Sequence, residues 1–104
     1  MSKTVNKAHK GRRNEYKTIH VLEEEGYYCT RSAGSKGLFD IIAIRPNDIK
    51  MIQVKTNRKP TKQEVDKLWT FGGDYLIDNA GECTHIETWL WKDKQKKPEI
   101  EVIW

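Results

Sequence analysis

Two apolar, β-rich runs, Ile41-Ile42-Ala43-Ile44-Arg45 and Ile49-Lys50-Met51-Ile52-Gln53-Val54-Lys55-Thr56, flank the turn formers Pro46-Asn47-Asp48. This pattern predicts a β-hairpin. Ile41 to Ile44 is apolar at successive positions, so both faces of that strand should be covered. Upstream, Tyr16, Ile19 and Leu22 recur at helical spacing between about Arg12 and Glu25, and Gly26 follows as a stop. Glu15 shares that apolar stripe, whereas Glu23, Glu24 and Glu25 do not. Tyr27 to Arg31 is β-prone and predicts the first strand, and Ser32 to Gly37 reads as a loop of small residues. Downstream, Thr61 with Glu64 three positions on is a capping box. Val65, Leu68 and Trp69 then continue an amphipathic helix, which Gly72-Gly73 is expected to end. Tyr75-Leu76-Ile77 reads as a short strand, with a turn at Asn79-Ala80-Gly81. Thr84 to Trp91 alternates, with Ile86, Thr88 and Leu90 on one face and His85, Glu87, Trp89 and Trp91 on the other. Across the charged turn from Lys92 to Pro98, residues 99–104 alternate again, which predicts a second hairpin. The whole is one α/β domain: a mixed central sheet of roughly four or five strands flanked by helices, with residues 1–9 as a mobile arm.

Polar residues on the central hairpin change the picture. Asp40 opens its first strand, and Gln53 and Lys55, two apart, share a face near the end of its second. If Arg45 pairs with Asp48, Asp40 lies opposite Gln53; if Pro46 pairs with Ile49, it lies opposite Lys55. In either register the three share one face within roughly 5–8 Å. A three-residue loop would send Asp40 to the other face unless a bulge intervened. An acid, an amide oxygen and an amine meeting at the edge of an apolar sheet are costly as mere structure. They suit a divalent cation with an adjacent group that orients water. Glu15, an acid on an apolar helix face, needs a partner: either a neighbouring arginine or that same site.

The chain has 104 residues and a net charge of +4, with a pI near 9.1. The length suits one small domain with a modest core, and the mild basicity favours an anionic partner. Lys10-Gly11-Arg12-Arg13 and Arg58-Lys59 are basic clusters suited to phosphate contact, or to solvation alone. Cys29 and Cys83 lack CxxC or histidine-rich context, which argues against a zinc site and fits a reducing, cytoplasmic setting. No apolar run approaches the length of a membrane span, and the N-terminus has no signal-like apolar region.

An acid opening a strand followed by Gln53-Val54-Lys55 on the next resembles the PD-(D/E)XK nuclease superfamily. Arg31-Ser32-Ala33-Gly34-Ser35 ahead of Phe39-Asp40, with helical Glu15 upstream, resembles the archaeal-type Holliday junction resolvases. The match covers about the first two thirds of the chain. It departs from the family at Phe39, where the family has proline, and at Gln53, where the usual residue is a second acid. The resemblance implies a restriction-endonuclease-like fold, with the first strand beside the central hairpin. It implies a Mg²⁺ (or Mn²⁺) ion held by Asp40, with Gln53, the Val54 carbonyl and Glu15 as further ligands, and Lys55 orienting the attacking water. It implies branched DNA as substrate, with Lys10, Arg12, Arg13, Arg31, Ser32, Ser35, Lys36, Arg58 and Lys59 contacting it, and a homodimer. Surplus apolar surface on the second hairpin, at Trp89, Trp91, Ile103 and Trp104, suits such an interface, with a tryptophan-rich local core as the equal alternative. A nucleic-acid-binding module that keeps the fold without the chemistry is the alternative reading, and a small interaction domain with a purely structural hairpin face is a third. Retention of Glu15, Asp40 and Lys55 favours the nuclease. Nothing resembles a base-reading helix, so structure-selective cutting is expected over sequence-specific restriction.

Overall fold

The computed structural model describes residues 2–32, 37–76 and 83–104, with backbone alone for residues 2–9. The elements run α1 (Ser2–Glu24), β1 (Tyr28–Arg31), β2 (Ile41–Arg45), β3 (Asp48–Thr56), α2 (Lys62–Tyr75), β4 (Thr84–Trp91) and β5 (Glu99–Val102). The five strands form one sheet in sequence order. β1, β2 and β3 pair antiparallel, β3 and β4 pair parallel with α2 as the crossover, and β4 and β5 pair antiparallel. The mixed sheet and the place of β1 beside the hairpin agree with expectation.

Arg45 pairs with Asp48, so the turn is Pro46-Asn47. The proline ring holds its own φ negative, and Asn47 takes the positive value, 61°. Register neighbours share a face. The face bearing Ile41, Ala43, Ile52, Trp89 and Trp91 packs on Leu22 of α1 and on Tyr27, all buried. The opposite face bears Ile86 and Leu90, buried on the side of Leu68 from α2. Covering both faces explains why β2 and β4 carry so few solvent-facing polar residues.

Several expectations are corrected. α1 begins at Ser2 rather than about Arg12, so the segment expected as an arm is helical from that residue on; one interior glycine, Gly11, costs only about 1 kcal/mol of helix propensity. Its buried stripe is Asn14, Thr18 and Leu22, spaced four apart, while Tyr16 is 53% exposed. Polar residues occupy this stripe because each has a partner. Asn14 Nδ2 donates to Thr56 Oγ1 at 2.8 Å, Thr18 Oγ1 donates to the Asn14 carbonyl at 2.8 Å, and Trp91 Nε1 donates to Thr18 Oγ1 at 2.8 Å. Gly72-Gly73 does not end α2, which runs on through Tyr75, where a strand had been expected. Gly72 instead lets the Trp104 indole sit against the helix, in space that a Cβ would occupy. Trp104 also packs on Trp69, ring centroids 4.6 Å apart. Trp89 and Trp91 are core residues, not surplus surface. Ile77 and the expected turn at Asn79-Ala80-Gly81 lie outside the described residues.

Candidate active site

The start of β2 and the end of β3 lie at one end of the sheet, beside the start of α2. Asp40 is fixed there by its backbone: its N–H donates to the Ile52 carbonyl at 2.8 Å, and its carbonyl accepts from Ser32 N–H at 2.8 Å. Its carboxylate accepts a 2.8 Å bond from the Val54 N–H. Burial pushes the Asp40 carboxyl pKa up; the Val54 N–H opposes this, the Glu15 charge adds to it, and Lys55 and Arg31 work against it. The net shift is upward, as for an acid held where charge is costly.

Gln53 follows Ile52, whose carbonyl accepts from the Asp40 N–H. Its Nε2 is 3.4 Å from the Leu38 carbonyl, and its Oε1 is buried with no hydrogen-bond partner. An orphaned buried acceptor costs about 1–3 kcal/mol, so this oxygen is open to a cation or to the O–H of a water. A hard divalent cation takes oxygen donors, carboxylate and amide alike, and the Asp40 carboxylate with this free oxygen fits that demand. Among the described residues no cluster of three or more acidic, histidine or cysteine side chains could hold a metal. That follows from an amide standing where a second acid would stand.

Lys55 is 15% exposed and its Nζ lies 2.9 Å from Glu64 Oε2. The other oxygen of Glu64 accepts from the Thr61 N–H at 2.8 Å, and Glu64 N–H donates to Thr61 Oγ1 at 3.1 Å, the full capping box. One carboxylate therefore ties the start of α2 to the lysine at the end of β3. The Lys55 bond, then the Thr61 N–H, draw the Glu64 pKa down to about 2. The sequence marked Glu64 as a cap only. The short connector from Thr56 to Thr61 was the available signal that this cap must sit over the strand end.

Glu15 pairs with Arg31, Nη1 to Oε1 at 2.9 Å, and its charge still reaches Asp40. Of the two outcomes left open for it, the arginine partner is the one seen. Arg31 also lies over the Tyr16 ring at 4.9 Å. Arg12, Arg13, Ser32, Arg58 and Lys59 are exposed, as is Gln63. Lys10 pairs with Asp93 at 3.0 Å. Ser35 and Lys36 lie outside the described residues. The Asn14–Thr56 bond, beside Lys55, escaped sequence reading because a buried asparagine carries no hydrophobic signal.

Comparison with known proteins places this geometry among relatives. The family model described as archaeal Holliday junction resolvase (Hjc) matches residues 6–75. The chain is 34% identical over 105 aligned residues to the crossover junction endodeoxyribonuclease Hjc of Methanocaldococcus jannaschii, covering 91% of this chain and 78% of that one. It is 32% identical over 90 residues to the crossover junction endodeoxyribonuclease of Sulfolobus islandicus rod-shaped virus 1, covering 79% and 72%. The solved structure of Archaeoglobus fulgidus Hjc, a Holliday junction resolvase, superposes with a TM-score of 0.67 at 22% identity, covering 90% of this chain and 73% of that one.

Proposed function

Because the chain belongs to the archaeal Holliday junction resolvase family, we propose that it is a structure-selective endodeoxyribonuclease that resolves four-way DNA junctions with a divalent metal, Mg²⁺ or Mn²⁺. The observation that carries this reading is the Asp40 carboxylate bonded to the N–H of Val54, the residue between Gln53, whose side-chain oxygen is unpartnered, and Lys55. Asp40 and Gln53 would hold the metal, with Glu15 bordering it. When bound, such an ion supplies a nucleophilic water and offsets charge on the phosphate and leaving oxygen. The protein's own part is positional. The Val54 N–H and the strand backbone fix the Asp40 carboxylate, and Glu64 holds the Lys55 ammonium where it can orient water and neutralise phosphate. Arg31, tied by Glu15, presents a second positive charge beside Asp40. Lys10, Arg12, Arg13, Ser32, Arg58 and Lys59, with Ser35 and Lys36, would contact the DNA backbone.

A four-way junction asks for two symmetric cuts, which a twofold homodimer supplies. With Trp89 and Trp91 in the core, the exposed apolar residues open to such an interface include Trp69 and Tyr75 on α2, Ile100 and Val102 on β5, and Tyr28 and Ile44 on β1 and β2. No helix among the described residues is long and apolar enough to cross a membrane, and cytoplasmic action on DNA is the matching setting.

The test is cleavage of a four-way junction against linear duplex, with and without Mg²⁺ or Mn²⁺. Asp40→Asn should abolish metal-dependent cutting and leave binding near normal, since one buried negative charge near phosphates is removed. Cutting at the wild-type rate by this variant would remove the proposed site. Binding without cutting by the wild type would instead favour the non-catalytic module.

A further inference from the structure

We propose that the groove between the outer face of α1 and the loop joining β4 to β5 is a second nucleic-acid contact, taking the sugar-phosphate backbone of a duplex arm as it leaves the site. The proposal rests on the junction-nuclease reading and extends the bound length of DNA beyond the reacting phosphate. The groove encloses about 640 Å³ and is lined by Arg13, Tyr16, Lys17, His20, Trp91 and Lys96, with Val21 and Gln95 completing it.

Charge, floor and continuity each point to this occupant. Arg13, Lys17 and Lys96 form no ion pair with a described carboxylate, while His20 pairs with Glu24 at 3.0 Å. Asp93, the nearby acid, is engaged by Lys10 at 3.0 Å and by Asn57 Nδ2 at 3.1 Å. Positive charge therefore dominates the groove. Its floor is rigid: the Trp91 indole is pinned from inside by the 2.8 Å bond to Thr18, and Lys17 Nζ lies 5.3 Å from a Trp91 ring centroid. Above it the Tyr16 ring, 53% exposed, offers the apolar surface beside lysine and arginine that suits a deoxyribose-phosphate chain, whose sugars are apolar and whose phosphates are charged.

The groove also lies on a path from the site. Trp91 stands opposite Thr56 in the parallel β3–β4 register, one residue past Lys55, so it belongs to the same end of the sheet. Tyr16 lines the groove on one side and meets Arg31 on the other at 4.9 Å, and Arg31 is the partner of Glu15. A strand crossing the site would thus pass Arg31 and Tyr16 and then run between Arg13, Lys17 and Lys96.

The test reverses charge away from the site. Lys17→Glu and Lys96→Glu are made singly and together, and affinity is read by fluorescence anisotropy without divalent metal. The probe is a four-way junction with arms of about two helical turns, and single-turnover cutting of the same junction at saturating protein is then read with Mg²⁺. The double variant should bind the junction at least about tenfold more weakly, with the slope of log affinity against log salt reduced by roughly two, near 0.9 per lost phosphate contact. The saturated cutting rate should be as in the wild type, and Lys17→Arg with Lys96→Arg should keep the wild-type affinity. Unchanged affinity, or a saturated cutting rate that falls with it, overturns the groove. Failure of the nuclease reading appears separately, as wild-type protein that binds the junction and leaves it uncut when metal is added. Failure of the wild type to bind the junction overturns both.

Discussion

Glu64→Gln isolates one charge at the site. The amide keeps an oxygen for the Thr61 N–H, so the capping box survives, while the charge that faces Lys55 at 2.9 Å is lost. Folding moves the Glu64 pKa from 4.5 to about 2. Taken whole, that shift is worth about 3 kcal/mol. The Glu64 side chain is 32% exposed, and water screens the pair, so about 1–2 kcal/mol is the expected loss at neutral pH. The sign follows from the direction. The folded pKa is the lower one, so the stabilisation is present in full above the unfolded value of 4.5 and is lost as pH falls through about 2. At pH 3.5 about two fifths of it should already be gone. Urea denaturation of wild type and variant at pH 7 and pH 3.5 checks this, with junction cutting measured alongside. The variant should be less stable by about 1–2 kcal/mol at pH 7, by visibly less at pH 3.5, and should cut more slowly, because Lys55 has lost the group that holds it. Equal stability at pH 7, or a gap that widens toward acid, would refute the reasoning.

Other changes test other links. Gln53→Glu should lower the Mg²⁺ concentration needed for half-maximal cutting, since a second carboxylate joins Asp40; if neither rate nor metal dependence moves, Gln53 does not serve the metal. Gly72→Ala would gain about 1 kcal/mol of helix propensity elsewhere, but here the methyl displaces the Trp104 indole, and overpacking of this kind costs about 1–3 kcal/mol. Net destabilisation in urea is therefore expected, and a more stable variant would show that Trp104 does not pack on α2 in solution. Sedimentation equilibrium at micromolar concentration should give twice the 12.2 kDa chain mass; a clean monomer would sink the paired-cut dimer, while Trp69→Glu or Tyr75→Glu should break a dimer formed through α2.

What the sequence displayed well is what local chemistry decides. The two apolar runs around Pro46-Asn47-Asp48, the Thr61/Glu64 box and the alternation from Thr84 to Trp91 each determine an element with few outside contacts. The register was narrowed to alternatives, and Arg45–Asp48 pairing is the one the hairpin adopts, running back to Ile41 opposite Ile52. Contacts made at a distance were not legible. Asn14 and Thr18 look like surface residues until Thr56 and Trp91 arrive as partners. Gly72-Gly73 resembles a helix end until an indole from residue 104 occupies the missing side chain's place. Glu64 looks like a cap and nothing more until the crossover sets it over Lys55. The tryptophans of β4 looked like excess, yet Trp89 and Trp91 both fit the one cluster that packs on α1.

The parallel pairing of β3 with β4 has a kinetic side. Asp40, Gln53 and Lys55 lie along one hairpin closed by a two-residue turn, and such hairpins form in about 1–10 μs. Ile49 and Thr84, neighbours across the next ladder, meet only after the chain has left the sheet, built α2 and returned. Closing that long loop costs chain entropy before any contact repays it, which makes non-local pairing the slow event. The proposed metal donors therefore gather early, on the hairpin, whereas Glu64 reaches Lys55 only with the late docking of α2. Activity in refolding chains should lag behind hairpin formation and rise with the crossover.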